Sequence, residues 1–331
     1  MNIKETVINF GLSFMTKYVI TIGVCLLVLF NVAKGQQAAQ FSHNMFNNMG
    51  VNPGFAGLND AITATLIARQ QWLGLSDAEG TSIHPETYSV TVSSPVPFLR
   101  GGVGIGFLQD QLGFETNLGV KMAYSHHMEL DYGILGLGAG INFIDKRIDF
   151  AAMRPITDND PVLAGAAEES AMMVDFDLGL FYKQEDLFWG GVSVSNIAQS
   201  TKQIGNSAHQ LRRQASISAG YNHIMASNPA FVVSPSILIK TDLNTLQADL
   251  NTMVTYNDRF WGGASYRLQD AIVIFLGLNF EQFSVGYSYD ITLSPLGRRG
   301  RSFGSHEIMV QYSFDLELQR LNERHRNVRF L

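Results

Sequence analysis

Residues 172–183 read MMVDFDLGLFYK. Asp175 and Asp177 sit two apart in a run that is otherwise almost wholly apolar. Successive side chains of a strand point to opposite faces, so the two acids share one face with Gly179 and Lys183. Val174, Phe176, Leu178, Leu180 and Tyr182 share the other. An aspartate pair for a metal is one reading, but the pattern fixes no histidine or third acid beside it. A wall between water and lipid is the other reading, and it explains the apolar residues as well as the acids.

The alternation recurs along the chain. In TLQADLNTMVTYND, Leu246, Ala248, Leu250, Val254 and Tyr256 share a face opposite Gln247, Asp249, Asn251 and Thr255. In FSVGYSYDI, Phe283, Val285, Tyr287, Tyr289 and Ile291 oppose Ser284, Gly286, Ser288 and Asp290. In HEIMVQYSFDL, Ile308, Val310, Tyr312, Phe314 and Leu316 oppose Glu307, Met309, Gln311, Ser313 and Asp315. These runs are about 10–13 residues long, the length a tilted strand needs to cross a bilayer, against roughly five or six in soluble sheets. After Gly35 no apolar run is long enough for a membrane-spanning helix.

The pattern predicts strands at 62–72, 84–95, 100–109, 114–127, 131–149, 172–183, 186–197, 211–225, 229–240, 245–256, 259–268, 271–279, 282–292 and 305–316. That is an all-β, transmembrane antiparallel β-barrel of about 14 strands, an even number as single-chain bacterial barrels have. The long connections 73–83, 150–171, 198–210 and 293–304 then fall at one end, and short turns at the other. Asp175, Asp177, Asp249 and Glu307 are expected to face a watery lumen, and Phe176, Leu250 and Val310 to face lipid. DLFWGGVSVSN and DRFWGGASYRL each open a strand after a tight turn. Phe188, Trp189, Phe260 and Trp261 are expected in an aromatic girdle at the membrane interface.

Residues 1–35 read as a signal peptide. Lys17 supplies the positive region, YVITIGVCLLVLF the apolar core, and Ala33 and Gly35 the small residues before a cut at Gln36. Translation from Met15 and an uncut signal anchor are the alternatives. The only cysteine is Cys25, inside that core and preceded by Val24 rather than a small residue. The mature chain is therefore expected to carry no lipid anchor and to need no disulfide in an oxidising compartment. Charged residues are only 16% of the chain and the net charge is −6, which argues against nucleic acid as a partner.

Other motifs carry little chemistry. GGVGIG and GLGAG resemble nucleotide loops, but their glycines alternate within strands and no helix follows; they fit a wall that curves or leaves room in the lumen. His126 and His127 are adjacent and point opposite ways. Nothing resembling a nucleophile elbow surrounds any serine. Arg298, Arg299 and Arg301 fall in a long loop. No catalytic, cofactor-binding or metal-binding residue is assigned, and no enzyme is expected.

QFSHNMFNNMGVNPGFAG after the signal, then RQQWLGL, FWGGASYR, VGYSYDITLS and SHEIMVQYSF, resemble in order and wording the PorP/SprF family of type IX secretion system membrane proteins. The resemblance implies an outer-membrane barrel of a Gram-negative cell that serves protein export or gliding. Its implied partners are secretion components on the periplasmic side and a secreted surface protein, held by its C-terminal domain. It supplies no catalytic residues. The expected organisation is a signal peptide (1–35), a periplasmic N-terminal segment (36–61), a barrel (62–316) and a periplasmic basic tail (317–331). The expected function is export or retention of a surface protein by binding it. A channel for small or apolar solutes is the alternative, and a lipid-modifying barrel enzyme a third class.

Overall fold

The computed structural model describes residues 39–76, 80, 82–153, 168–184, 187–295 and 302–315. The signal peptide and its cut, the arginines 298, 299 and 301, and the tail 317–331 lie outside the described residues. The strands are β1 (Ala61–Gln70), β2 (Glu86–Val96), β3 (Gly101–Leu112), β4 (Glu115–Leu130), β5 (Gly133–Asp149), β6 (Glu168–Gln184), β7 (Phe188–Ser195), β8 (Thr201–Ile204) and β9 (Ser207–Gln210). They continue as β10 (Gln214–Tyr221), β11 (His223–Ile224), β12 (Phe231–Thr241), β13 (Leu246–Tyr256), β14 (Phe260–Arg267), β15 (Ala271–Phe280), β16 (Phe283–Thr292) and β17 (Ser305–Asp315). β11 extends β10 past Asn222, and β8 and β9 form a separate hairpin.

The others pair antiparallel, each with its neighbour in the chain, β10 with both β7 and β12. The first and last strands then close the ring, from Ala61 against Asp315 to Gln70 against His306. Among the described residues the result is a closed barrel of 14 strands. Closure leaves no edge to satisfy, which is what lets a sheet stand in hydrocarbon.

Alternation sets the faces as expected. Asp175, Asp177, Asp249 and Glu307 are buried inside, whereas Phe176, Leu250 and Ile308 are each 51% exposed on the outer wall. Val310 faces out with Ile308 and is half-buried. The strand ends joined by the connections β1–β2, β5–β6, β7–β10 and β16–β17 lie at one end, here the long-loop end; turns such as 97–100, 131–132 and 281–282 lie at the other. At the turn Tyr256–Arg259 the central Asn257 and Asp258 have φ of 49° and 53°, as a type I′ hairpin turn requires.

Three expectations need correction. The long loop 198–210 contains the β8–β9 hairpin, whose Ile204 packs against Ile148 and Phe150. Trp189 and Trp261 do not join Phe188 and Phe260 in an outward girdle. Adjacent strand residues face opposite ways, so both tryptophans turn inward: Trp189 stacks on Phe181 at 5.7 Å and Trp261 is 4% exposed, 4.9 Å from Phe46.

The third correction decides the lumen. Of the segment expected outside the barrel, 36–61, residues 39–60 run through it. Ser42, His43, Asn44, Asn47, Met49, Asn52, Ala56 and Leu58 are all buried. Ser42 and His43 contact residues near the long-loop ends of β1, β16 and β17. Gly57 meets Ser93 on β2 and Gly102 on β3, near the short-turn end. The lumen is therefore plugged along its length, not filled with water alone.

Candidate functional site

The plug segment is rich in Asn, Met and Gly. It folds as short turns: a 3-10 turn at Asn44–Phe46, one helical turn at Asn48–Val51, and a 3-10 turn at Pro53–Phe55. Turns this short leave most backbone groups unpaired within the segment, so the barrel wall must satisfy them. Lys121 Nζ donates to the Gly50 carbonyl (2.9 Å), Ser193 Oγ to Val51 (3.0 Å), Ser125 Oγ to Gly54 (2.8 Å) and His127 Nε2–H to Ala56 (3.0 Å). Asn52 accepts the Gly54 N–H at 2.8 Å and donates to Leu180 and Val192 carbonyls on β6 and β7.

The glycine-rich strands explain how a chain fits so close to the wall. A Cβ at Gly138 would lie 2.2 Å from the Gly54 nitrogen and the Pro53 carbonyl carbon; one at Gly102 would lie 2.4 Å from the Ala56 oxygen. GGVGIG and GLGAG are thus the flat side of a slot that receives NPGFAG, in keeping with the expectation that they leave room in the lumen.

At the other end the plug is held by charge. Glu307 accepts the backbone N–H of Ser42 (2.7 Å), the backbone N–H of His43 (2.7 Å) and the His43 ring N–H (2.8 Å). Arg69 Nη1 donates to Ser42 Oγ (2.7 Å) and to Glu307 (3.2 Å), and its Nη2 donates to Asp290 (2.7 Å). Arg267 joins Asp249 (3.2 Å) and Asp290 (3.0 Å). Arg69, Arg267, Asp290 and Glu307 are each about 1% exposed or less. Removing one partner of such a buried set costs about 3–5 kcal/mol, because the other charge is left without water.

The protein itself engages the carboxylates of both Asp175 and Asp177. Asp175 accepts the backbone N–H of Ala198 (2.8 Å) and Ser200 (2.9 Å), and so ties down the chain leading into the β8–β9 hairpin. Asp177 pairs with Lys121 at 2.8 Å and accepts from Asn142 at 2.7 Å. A Ser82–His84–Glu86 hydrogen-bonded chain runs along the start of β2. It lines neither of two cavities inside the barrel.

Those cavities lie on either side of the plug. The smaller, about 190 Å³, is lined by Met45, Phe55, Asn59, Lys183 and Trp189 toward the short-turn end. The larger, about 760 Å³, lies at the long-loop end. Its floor is Ala39, Phe41, Gly50 and Val51 of the plug, and its rim includes Ala208 to Arg212 of the hairpin and Asp242 and Thr245. Nothing in the period-2 pattern announces this chamber, because the segment that floors it has no period. The Gly205–Asn206 pair between β8 and β9 is a two-residue turn signal from which the hairpin was readable.

Comparison with solved structures finds similar barrels at low sequence identity. The toluene transporter TbuX of Ralstonia pickettii is 12% identical with a TM-score of 0.49, over 81% of this chain and 93% of that one. The CymD monoaromatic hydrocarbon channel is 11% identical with a TM-score of 0.44, over 86% and 95%. A FadL homologue of Pseudomonas aeruginosa is 10% identical with a TM-score of 0.42, over 77% and 89%. Comparison with curated proteins finds no match. The family model described as "Type IX secretion system membrane protein PorP/SprF" matches residues 33–312, a span that includes plug and barrel together. With a closed barrel, an apolar outer wall and that match, this outer-membrane protein belongs to the PorP/SprF family of the type IX secretion system.

Proposed function

We propose that the protein helps export or retain a secreted surface protein by binding it in the chamber at the long-loop end, which faces outward. The observation that carries this reading is the plug. A lumen crossed by a bonded segment suits recognition better than passage, and the plug supplies the floor of a chamber of about 760 Å³. That chamber is large enough to receive several residues of a polypeptide, and both its floor and its rim offer polar groups. The short-turn end, where β17 ends at Asp315, would face secretion components in the periplasm. No step of bond making or breaking is involved.

A photo-crosslinking residue tests the reading. Placed at Ala208 on the chamber rim, it should capture a secreted surface protein in native cells. Placed at Leu276, which is 60% exposed on the outer wall, it should not. Absence of a protein adduct at Ala208, or the same adduct at both sites, would overturn the proposal. So would rapid swelling of liposomes containing the intact protein in small solutes, since that is how an open channel behaves.

A further inference from the structure

Four cationic side chains line the outer chamber, and three have a carboxylate. Lys121 pairs with Asp177 at 2.8 Å, Lys146 with Glu115, and Arg212 with Asp242 at 3.3 Å. The fourth is Lys240 on β12, 8% exposed. Its ammonium donates to the Ala39 carbonyl at 3.1 Å, which uses one of three N–H bonds. Among the described residues no carboxylate lies within 4.0 Å of it. The charged groups that act on it are Asp249, Arg267 and Lys121. Asp249 is already engaged, by Arg267 at 3.2 Å and by Asn44 at 3.3 Å, and Lys121 is held by Asp177. A buried ammonium without a counter-charge is unfavourable, so this corner of the chamber lacks one negative charge.

The surroundings define which anion fits. Ser216 on β10 is in register opposite Lys240, and both line the chamber. An amine and a hydroxyl side by side offer donors to the two oxygens of one carboxylate. A more highly charged group would meet the acids of the same chamber, Asp110, Glu115, Asp177 and Asp242.

We propose that Lys240, with Ser216 beside it, binds a carboxylate at the floor of the outer chamber. The carboxylate could come from a polypeptide, as a chain terminus or acidic side chain, or from a small organic acid. Only the first source rests on the function proposed above.

The test is calorimetry on the full-length protein purified folded in detergent. The probes are an eight-residue Gly-Ser peptide with a free C-terminus, the same peptide as its C-terminal amide, and hexanoate. A charge-assisted hydrogen bond is worth about tenfold in affinity or more. The free acid should bind about that much tighter than the amide, and Lys240→Met should erase the difference while Lys240→Arg keeps it. Hexanoate binding as well as the peptide acid, with the same dependence on Lys240, keeps the carboxylate site and makes the ligand a small acid. The site then stands while the polypeptide reading falls. Equal binding of acid and amide in the natural protein, with no binding of hexanoate, overturns the site. So does an acid preference that survives in Lys240→Met. If Lys240→Met does not assemble, Ser216→Ala decides: a weakened preference for the acid supports the site, and an unchanged one overturns it.

Discussion

Gly138→Ala should loosen the plug while leaving the barrel closed. The added Cβ would sit 2.2 Å from two backbone atoms of the plug, Gly54 N and Pro53 C. Neither is the end of a flexible side chain, so the segment itself must withdraw until the contact reaches ordinary van der Waals distance, 3.4 Å or more. Overpacking of this kind costs about 1–3 kcal/mol. The same withdrawal stretches the bond from Ser125 Oγ to the Gly54 carbonyl, now 2.8 Å, and a bond of that kind contributes about 1 kcal/mol. The loss is therefore about 2–4 kcal/mol, borne by the plug rather than by the strand pairing. Gly106→Ala is the control: its Cβ meets only Thr91 Cγ2 at 3.5 Å and Lys121 Cβ at 3.7 Å among side chains. The assay is single-channel conductance in planar bilayers, with heat-dependent gel mobility to show that both variants are folded. Frequent openings in Gly138→Ala, set against a quiet natural protein and a quiet Gly106→Ala, are expected. A Gly138→Ala protein as quiet as the natural one would refute the argument that glycine is required for the plug's approach.

Glu307→Gln should release the other end of the plug, at a cost of about 3–5 kcal/mol, and hydrogen exchange at the Ser42 and His43 amides should rise; unchanged protection would count against the charge anchor. Leu250→Arg places a charge on the lipid face and should lower the folded fraction in bilayers by about 2–4 kcal/mol near the midplane. An undiminished folded fraction for Leu250→Arg would mean that the faces are misassigned. Asp175→Ala removes the acceptor for Ala198 and Ser200 and should expose the 198–210 hairpin to limited proteolysis; resistance equal to the natural protein would argue otherwise. Deleting residues 318–331 should preserve assembly and weaken co-purification of periplasmic secretion components; full recovery of those components would reduce the tail to a solvated end.

What sequence reading captured follows from how local each signal is. Strand position and facing depend on neighbours two residues away, so MMVDFDLGLFYK and HEIMVQYSFDL disclose their faces directly. Strand ends were readable to within a few residues for the same reason. The plug is different. QFSHNMFNNMGVNPGFAG has no repeating apolar face, and its partners Asp290 and Glu307 are about 250 positions away in the chain. A polar segment before a first strand looks like an exposed lead-in unless those partners are known. The tryptophans show a narrower failure. FWGG places two aromatics side by side, and a strand can send only one of them to the membrane. Gly277 and Gly286, each within 2.4 Å of a Trp261 ring atom if given a Cβ, were the clue that the indole has its space inside.

The charge anchor also bears on how the molecule is completed. Ser42 and His43 are made before any strand, Arg69 belongs to the first strand, and Glu307 belongs to the last. The three meet across the seam where the ring shuts. Until β17 arrives, the two backbone N–H groups of the plug and the Arg69 side chain lack the acceptor that Glu307 provides, and until the plug is seated Glu307 lacks those donors. A ring that shuts empty leaves Glu307 with Arg69 as its ion-pair partner and without its three donors from the plug, and a seated plug favours the final strand. The leading end of the chain thus acts as a mandrel on which the wall is wound, and zipping the seam is energetically tied to its being filled.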